Sequence, residues 1–206
     1  MSDYLNQINP KRTNEVIDKI LAEANTLGTP IIRDDAINFI IQIIKSNKTK
    51  QVLEIGSAIG YSAIMIASFT EANVLTIERD EASYLRAKKN IVLAGLESKI
   101  TLVLADALEY QISEDFQCDL LFIDASKSSY IRFFEKYEKH LNRNGLIISD
   151  NLLFRGFVEN TDRIESRNRR QLVGKIRKFN DYITKNQNYD SYIYGIGDGL
   201  SISIKK

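Results

Sequence analysis

Val52-Leu53-Glu54-Ile55-Gly56-Ser57-Ala58-Ile59-Gly60-Tyr61-Ser62 is the stretch on which the fold turns: a short apolar run passes through two glycines into the start of a helix. The helix is predicted from about Tyr61 to Phe69. The same unit recurs downstream. Val74-Leu75-Thr76-Ile77 predicts a second strand, followed by a helix that ends near Gly95. Ile100 to Leu104, Leu120 to Ile123 and Leu146-Ile147-Ile148 predict three more strands, with a helix over Tyr130 to Leu141 before the last. Such alternation implies an α/β fold, a parallel sheet with helices on both faces. Upstream, Val16, Ile17, Ile20, Leu21, Ala24 and Leu27 recur at helical spacing until Gly28 and Pro30 stop them. A second helix runs from about Asp34 to Ile44, with Asp34 or Asp35 placed to cap it. Downstream, Ile164 to Ile183 reads as one long helix. Ser191 to Tyr194 and Leu200 to Ile204 lie too close in sequence for a parallel crossover and must pair as a hairpin. The expectation is a mostly parallel seven-stranded sheet with one antiparallel strand. With no repeat, low-complexity tract or linker, 1–206 reads as a single domain.

Composition mainly excludes. The 28 Lys and Arg nearly cancel the 27 Asp and Glu, so a nucleic acid could be held only by a local patch. One cysteine, Cys118, and one histidine, His140, rule out a disulfide framework and a zinc site of nitrogen and sulfur ligands. They also weigh against Ser/His/Asp and Cys/His catalysis. Cys118 is expected to be packed and His140, at the end of a polar helix, to be exposed. The N-terminus lacks a charged lead into an apolar core, and stretches such as Phe39 to Ile44 are too short to span a bilayer, so a cytoplasmic protein is expected.

Strand ends in a parallel sheet share one edge, where open α/β folds bind ligands. The turn Gly56 to Gly60 could receive an anionic group at the helix start, but Ala58 stands where a dinucleotide fingerprint has glycine; a plain strand-to-helix joint fits it comparably. Glu78, one strand on, favours a ligand, because a carboxylate there reaches ribose hydroxyls. Asp106-Ala107 at the next strand end could border a purine, although Asp106 alone reads as an N-cap. Asp124 ends the fourth predicted strand, and Asp150-Asn151 end the fifth. Together they form an all-oxygen set suited to a hard cation, Mg²⁺ first, Mn²⁺ or Ca²⁺ next. Each alone could be a cap or turn residue. Lys127 beside them is the candidate base, its proton loosened by a nearby cation and partial burial, or else a surface lysine at a helix start.

Glu54-Ile55-Gly56 with Gly60-Tyr61-Ser62, Phe122-Ile123-Asp124-Ala125 with Lys127, Ser149-Asp150-Asn151 and Gly197-Asp198-Gly199-Leu200 resemble the class I S-adenosylmethionine-dependent O-methyltransferases of the cation-dependent caffeoyl-CoA and catechol type. The resemblance runs from about Pro30 to the C-terminus. It implies a Rossmann-like methyltransferase fold with extra N-terminal helices. It also implies that Ile32, Glu54, Gly56, Ser62, Glu78, Asp106, Ala107 and Asp124 bind the cofactor. Asp124, Asp150 and Asn151 match the family's metal ligands, and Lys127 its base. Ala105 stands where relatives often carry glycine.

Within that family, Ala58-Ile59-Gly60-Tyr61-Ser62-Ala63-Ile64, Thr76-Ile77-Glu78-Arg79, Asn151-Leu152-Leu153-Phe154-Arg155-Gly156 and Arg169-Arg170-Gln171-Leu172-Val173 are most similar to the bacterial tRNA 5-hydroxyuridine methyltransferases. That implies conversion of 5-hydroxyuridine to 5-methoxyuridine at the tRNA wobble position, with Arg155, Arg169 and Arg170 touching the RNA, and a homodimer through the N-terminal helices and the long basic helix. Arg163, Arg167, Arg169, Arg170, Lys175, Arg177 and Lys178 make that helical region cationic. Such a face can grip phosphates, or it can be a solvated helix face or a set of dimer salt bridges. Methylation of small catechols is the second reading, and a nucleotide- or RNA-binding module without catalysis is the third. Tyr130, Phe133, Phe134 and Tyr137 are read as core.

Overall fold

A computed structural model describes residues 3–206, apart from the side chains of Asp3, Asn6 and Arg163. The chain order is α1 (Asp3–Ile8), α2 (Glu15–Leu27), α3 (Asp34–Ser46), β1 (Gln51–Ile55), α4 (Tyr61–Phe69), β2 (Asn73–Glu78), α5 (Glu81–Leu93), β3 (Ile100–Leu104), β4 (Cys118–Ile123), α6 (Tyr130–Tyr137), β5 (Leu141–Ser149), α7 (Arg167–Lys185), β6 (Tyr189–Tyr194) and β7 (Leu200–Lys205). The seven strands form one sheet in the order β3-β2-β1-β4-β5-β7-β6. β1 to β5 pair in parallel, and β7 runs antiparallel to both β5 and β6. The strand order therefore reverses between β1 and β4, the crevice where open α/β sheets take ligands.

Period-two alternation sorts the core into two layers. Val52, Leu120, Phe122, Leu146 and Ile148 face α2, α3 and α4. Leu53, Ile55, Leu121, Ile123 and Ile147 face α6 and the C-terminal half of α7. Tyr61 to Ala67 of α4 are all buried, which explains a helix sequence apolar on every side. A third, smaller cluster of Val158, Ile164, Val173 and Ile176 packs the segment after β5 against the first half of α7.

Several local expectations change. The cap of α3 is Arg33 rather than Asp34 or Asp35, and it offers no side-chain bond; Asp35 instead accepts from the Ala36 N–H at 3.0 Å. The long helix begins at Arg167, because 161–163 form a separate 3₁₀ turn. His140 is 3% exposed, not surface-lying. Its helix tightens into a 3₁₀ turn that swings the ring between Phe116 and Tyr137, where Nδ1 meets the Phe116 carbonyl at 3.0 Å. Cys118 is buried, as are Tyr130, Phe133, Phe134 and Tyr137. No described helix is long and apolar enough to cross a membrane.

Candidate active site

The carboxyl ends of β1, β2, β3 and β4 open into a cleft with two lobes that share Gly56, Ala58, Asp124 and Ala125. One lobe, about 150 Å³, is bordered by Glu78, Asp106, Ala107, Leu108 and Phe133. The other, about 190 Å³, is bordered by Ile32, Ser57, Ser62, Lys127 and Asn151. The crossing between them is possible only with glycine at 56. Its φ is +95°, and a Cβ there would lie 2.5 Å from the Asp124 carbonyl oxygen.

The first lobe is set by backbone contacts that hold acidic groups in place. Glu78 accepts from the Ala58 N–H at 2.9 Å with one oxygen and from the Arg79 and Asp80 N–H groups, each at 2.9 Å, with the other. Asp106 accepts from the Leu108 N–H at 2.8 Å and so caps a turn rather than a helix. From α6, the Tyr137 hydroxyl donates to the Ala107 carbonyl and the Lys136 ammonium to the Leu108 carbonyl, fixing the outer lip. The sequence places Tyr137 and Phe133 only in the core, because aromatic spacing on a helix looks the same for core and for cleft, and Lys136 carries no local signal of its role.

Ile32 and Ser62 line the second lobe; Glu54 lines neither. It points to the α4 side of the sheet, fully buried, and accepts from the Ser62 and Thr76 hydroxyls. Burial pushes its carboxyl up to about 7, against the pull of those two donors. Ser57, beside Gly56, has a buried hydroxyl with no protein partner. A buried unpaired hydroxyl at a cleft is what a polar ligand would satisfy.

Asp124, Asp150 and Asn151 come together at the ends of β4 and β5. The Asp124 N–H donates to the Ile55 carbonyl at 3.0 Å and the Asp150 N–H to the Ile123 carbonyl at 3.2 Å, so both continue the ladder. Asn151 follows in a left-handed conformation, φ 62°, with its N–H on Asp150 Oδ1 at 2.7 Å. Asp150 is 1% exposed; burial first and then the Asp124 carboxylate push it up to about 7. Burial raises Asp124 too, opposed by Lys127. The Tyr130 hydroxyl donates to the Asp150 carbonyl at 3.1 Å and supports the turn from below. A buried and a half-buried carboxylate near enough for one to raise the other repel unless a cation sits with them, so the residues present fit one. No cluster of three His, Cys, Asp or Glu side chains suited to a metal occurs among the described residues; here the third donor is an amide.

The β6–β7 turn closes this edge. Leu152 and Leu153 donate their N–H groups to the Gly199 and Asp198 carbonyls at 2.9 and 2.8 Å, and the Asp198 carboxylate accepts from the Arg155 N–H. Asp198 also raises Asp150. The motif Gly197-Asp198-Gly199 thus has a place the sequence alone did not assign. Of the arginines read as RNA contacts, Arg155 is exposed in a left-handed turn with φ 56°. Arg169 stacks over Phe157 at 5.0 Å, and Arg170 donates to the Ile164 carbonyl at 2.8 Å. Both remain exposed at the surface.

A family model described as O-methyltransferase matches residues 13–206. The chain is 30% identical over 206 residues to a catechol O-methyltransferase of Niastella koreensis, covering 92% of this chain and 90% of that protein. Among solved structures, one from Staphylococcus aureus, described as a candidate caffeoyl-CoA O-methyltransferase, superposes with a TM-score of 0.90 at 36% identity, covering 99% and 96% of the two chains. An O-methyltransferase from Bacillus cereus, solved in complex with SAH, has a TM-score of 0.82 at 21% identity over 98% of this chain and 96% of that one, a likeness of fold alone.

Proposed function

We propose a reaction for this chain, which belongs to the O-methyltransferase family: methyl transfer from S-adenosylmethionine to the 5-hydroxyl of 5-hydroxyuridine in tRNA, giving 5-methoxyuridine. The observation that carries the methyl-transfer part is the two-lobed cleft, whose chemistry differs from end to end. In the first lobe Glu78 offers a fixed carboxylate to a ribose diol, while Ala107, Leu108 and Phe133 offer apolar surface to a purine. In the second, Ile32, Ser57 and Ser62 border the space for an amino-acid end, and the unpaired Ser57 hydroxyl would gain a partner there. The bound cofactor supplies an electrophilic methyl on a sulfonium, which leaves as a neutral thioether. Glu54 acts behind this surface, holding Ser62 through its hydroxyl.

Asp124, Asp150 and Asn151 would hold a divalent cation, Mg²⁺ first, which would supply positive charge for a developing oxyanion and favour substrates with two adjacent oxygens. Catechols and 5-hydroxyuridine, with its 5-hydroxyl beside the 4-carbonyl, both have them. Lys127 lines the same lobe and takes the hydroxyl proton as the methyl arrives. What supports tRNA over a small phenol is the exposed cationic run Arg167, Arg169, Arg170, Lys175, Arg177 and Lys178 on α7, tied to the metal edge by the segment that starts at Asn151.

Incubating hypomodified tRNA with the protein, labelled cofactor and Mg²⁺ should produce labelled 5-methoxyuridine on nucleoside mass spectrometry, and none with Asp150→Ala. Absence of that nucleoside alongside efficient turnover of a free catechol would establish the second reading, which the Niastella koreensis relative favours. The exposed apolar side chains Tyr4, Leu5 and Ile8 of α1 support a homodimer through the N-terminal helices, to be read by light scattering.

A further inference from the structure

Gly174 sits in the eighth position of the nineteen-residue helix α7 with no packing reason to be glycine. A Cβ built there meets nothing within 4 Å, and its φ is not in the left-handed region. Apart from proline, glycine is the poorest residue for a helix interior, so any side chain would suit the fold better. What the missing side chain creates is space. Arg170, Gly174 and Arg177 stand at i, i+4 and i+7 and share one face of the helix. They line an open groove of about 570 Å³, with Thr161 and Asp162 of the facing segment on its other side.

The two guanidiniums are held rather than free to wander. Arg170 donates one N–H to the Ile164 carbonyl at 2.8 Å, and Arg177 donates from Nε and a terminal nitrogen to the Val158 carbonyl. Each guanidinium has five N–H groups, so both keep donors for a ligand while their orientation is already set. Among the described residues neither makes an ion pair. Among the described residues Asp162 is the one carboxylate lining the groove, against the two guanidiniums of Arg170 and Arg177. A pair of anchored guanidiniums across a gap matches a tetrahedral dianionic or monoanionic oxygen group.

We infer that the Arg170–Gly174–Arg177 notch seats a backbone phosphate of the RNA substrate. The inference rests on RNA as substrate and extends that reading from a cationic helix to one phosphate seat. The seat lies on the segment and helix that lead away from Asn151, so it would fix the strand outside the reacting nucleoside rather than the nucleoside itself.

The test uses Gly174→Ala, Gly174→Glu and Gly174→Lys in the full chain. All three raise helix propensity and meet open space, so each should melt at or above the wild-type temperature. Binding of a labelled anticodon stem-loop RNA carrying 5-hydroxyuridine at the wobble position is measured by anisotropy at several salt concentrations, with methylation of the same RNA alongside. Gly174→Glu should raise Kd about tenfold and lower the salt slope by about one, whereas Gly174→Lys, whose flexible chain can swing out of the notch and whose ammonium can itself pair with the phosphate, should bind as well as wild type or better. A purely structural role for the glycine would move Glu and Lys together, which overturns the seat; so does wild-type binding by both. If the Glu variant loses binding but the wild type leaves the RNA unmethylated, the seat stands and the reaction assignment fails. If the wild type does not bind the RNA at all, both fall.

Discussion

Replacing Glu54 by Gln should change how stability depends on pH, and by a calculable amount. The side chain is fully buried among Ser62, Thr76 and the underside of α4, and its carboxyl is raised from 4.5 to about 7, chiefly by burial. A carboxyl with a raised folded value destabilises the fold wherever the unfolded chain ionises more readily than the folded one. The penalty is absent below about pH 4.5, where both states are protonated, grows as the pH climbs, and is complete above about 7. At about 1.4 kcal/mol per pH unit the full penalty is roughly 3 kcal/mol, most of which develops between pH 5 and 8. Gln keeps the shape and can still take a hydroxyl donor on its carbonyl, but it never ionises. Urea unfolding of both proteins, metal-free and in chelator, reads the effect. The variant should gain roughly 2–3 kcal/mol on wild type from pH 5 to 8, near 1 M in midpoint for a slope of about 2–3 kcal/mol/M. Asp150 titrates in the same window, but it is common to both proteins and cancels in the difference. Stability curves that stay parallel from pH 5 to 8 would refute the reasoning, since they would mean that Glu54 titrates in the fold as it does in the unfolded chain.

Gly56→Ala should cost about 1–3 kcal/mol of fold stability from its positive φ and abolish cofactor binding, because its Cβ meets the Asp124 carbonyl; calorimetric titration showing wild-type affinity would contradict this. Asp150→Ala should raise the melting temperature of the metal-free protein by removing a repelled buried charge, cancel the Mg²⁺-induced thermal shift and reduce turnover to background. Undiminished wild-type turnover in chelator would remove the cation from the mechanism. Tyr130→Phe should cost about 1 kcal/mol and weaken the Mg²⁺ response while leaving cofactor affinity in place; unfolding and thermal-shift titrations check both parts.

Much of the sheet could be read from sequence because its signal is local. Val52 to Ile55, Val74 to Ile77 and Leu120 to Ile123 are short, mostly apolar runs with polar exits, and a run of that kind is confined to a strand by length alone. The positions of Gly56, Glu78, Asp106, Ala107 and Asp124 along one cleft follow from their places at or just beyond strand ends, whereas Ile32, in the loop before α3, and Ser62, in α4, are pointed to by the family resemblance alone. What was not legible depends on which way a side chain turns. Glu54 precedes Gly56 by two residues and alternation sends it to the α4 face, but only the packing of Ser62 and Thr76 shows that both its oxygens are already taken. His140 looked polar because its neighbours in sequence are Lys139 and Glu138; the 3₁₀ turn that buries it arises from tertiary contact with Phe116 and Tyr137. The contacts from Asp198 to Arg155 and from Arg177 to Val158 span 43 and 19 residues, beyond the reach of any local pattern.

The third hydrophobic cluster divides α7 into two halves with different allegiances. Phe179 and Ile183 belong to the core beneath β5, while Val173 and Ile176 belong to the four-residue cluster that covers the segment after Asn151. A cluster of that size can open without the sheet, so hydrogen exchange should find two protection classes along one unbroken helix, with the change between Ile176 and Phe179. The wall that would face a bulky substrate can then yield and reclose on its own timescale, while the cofactor cleft, fastened to the sheet, keeps its shape.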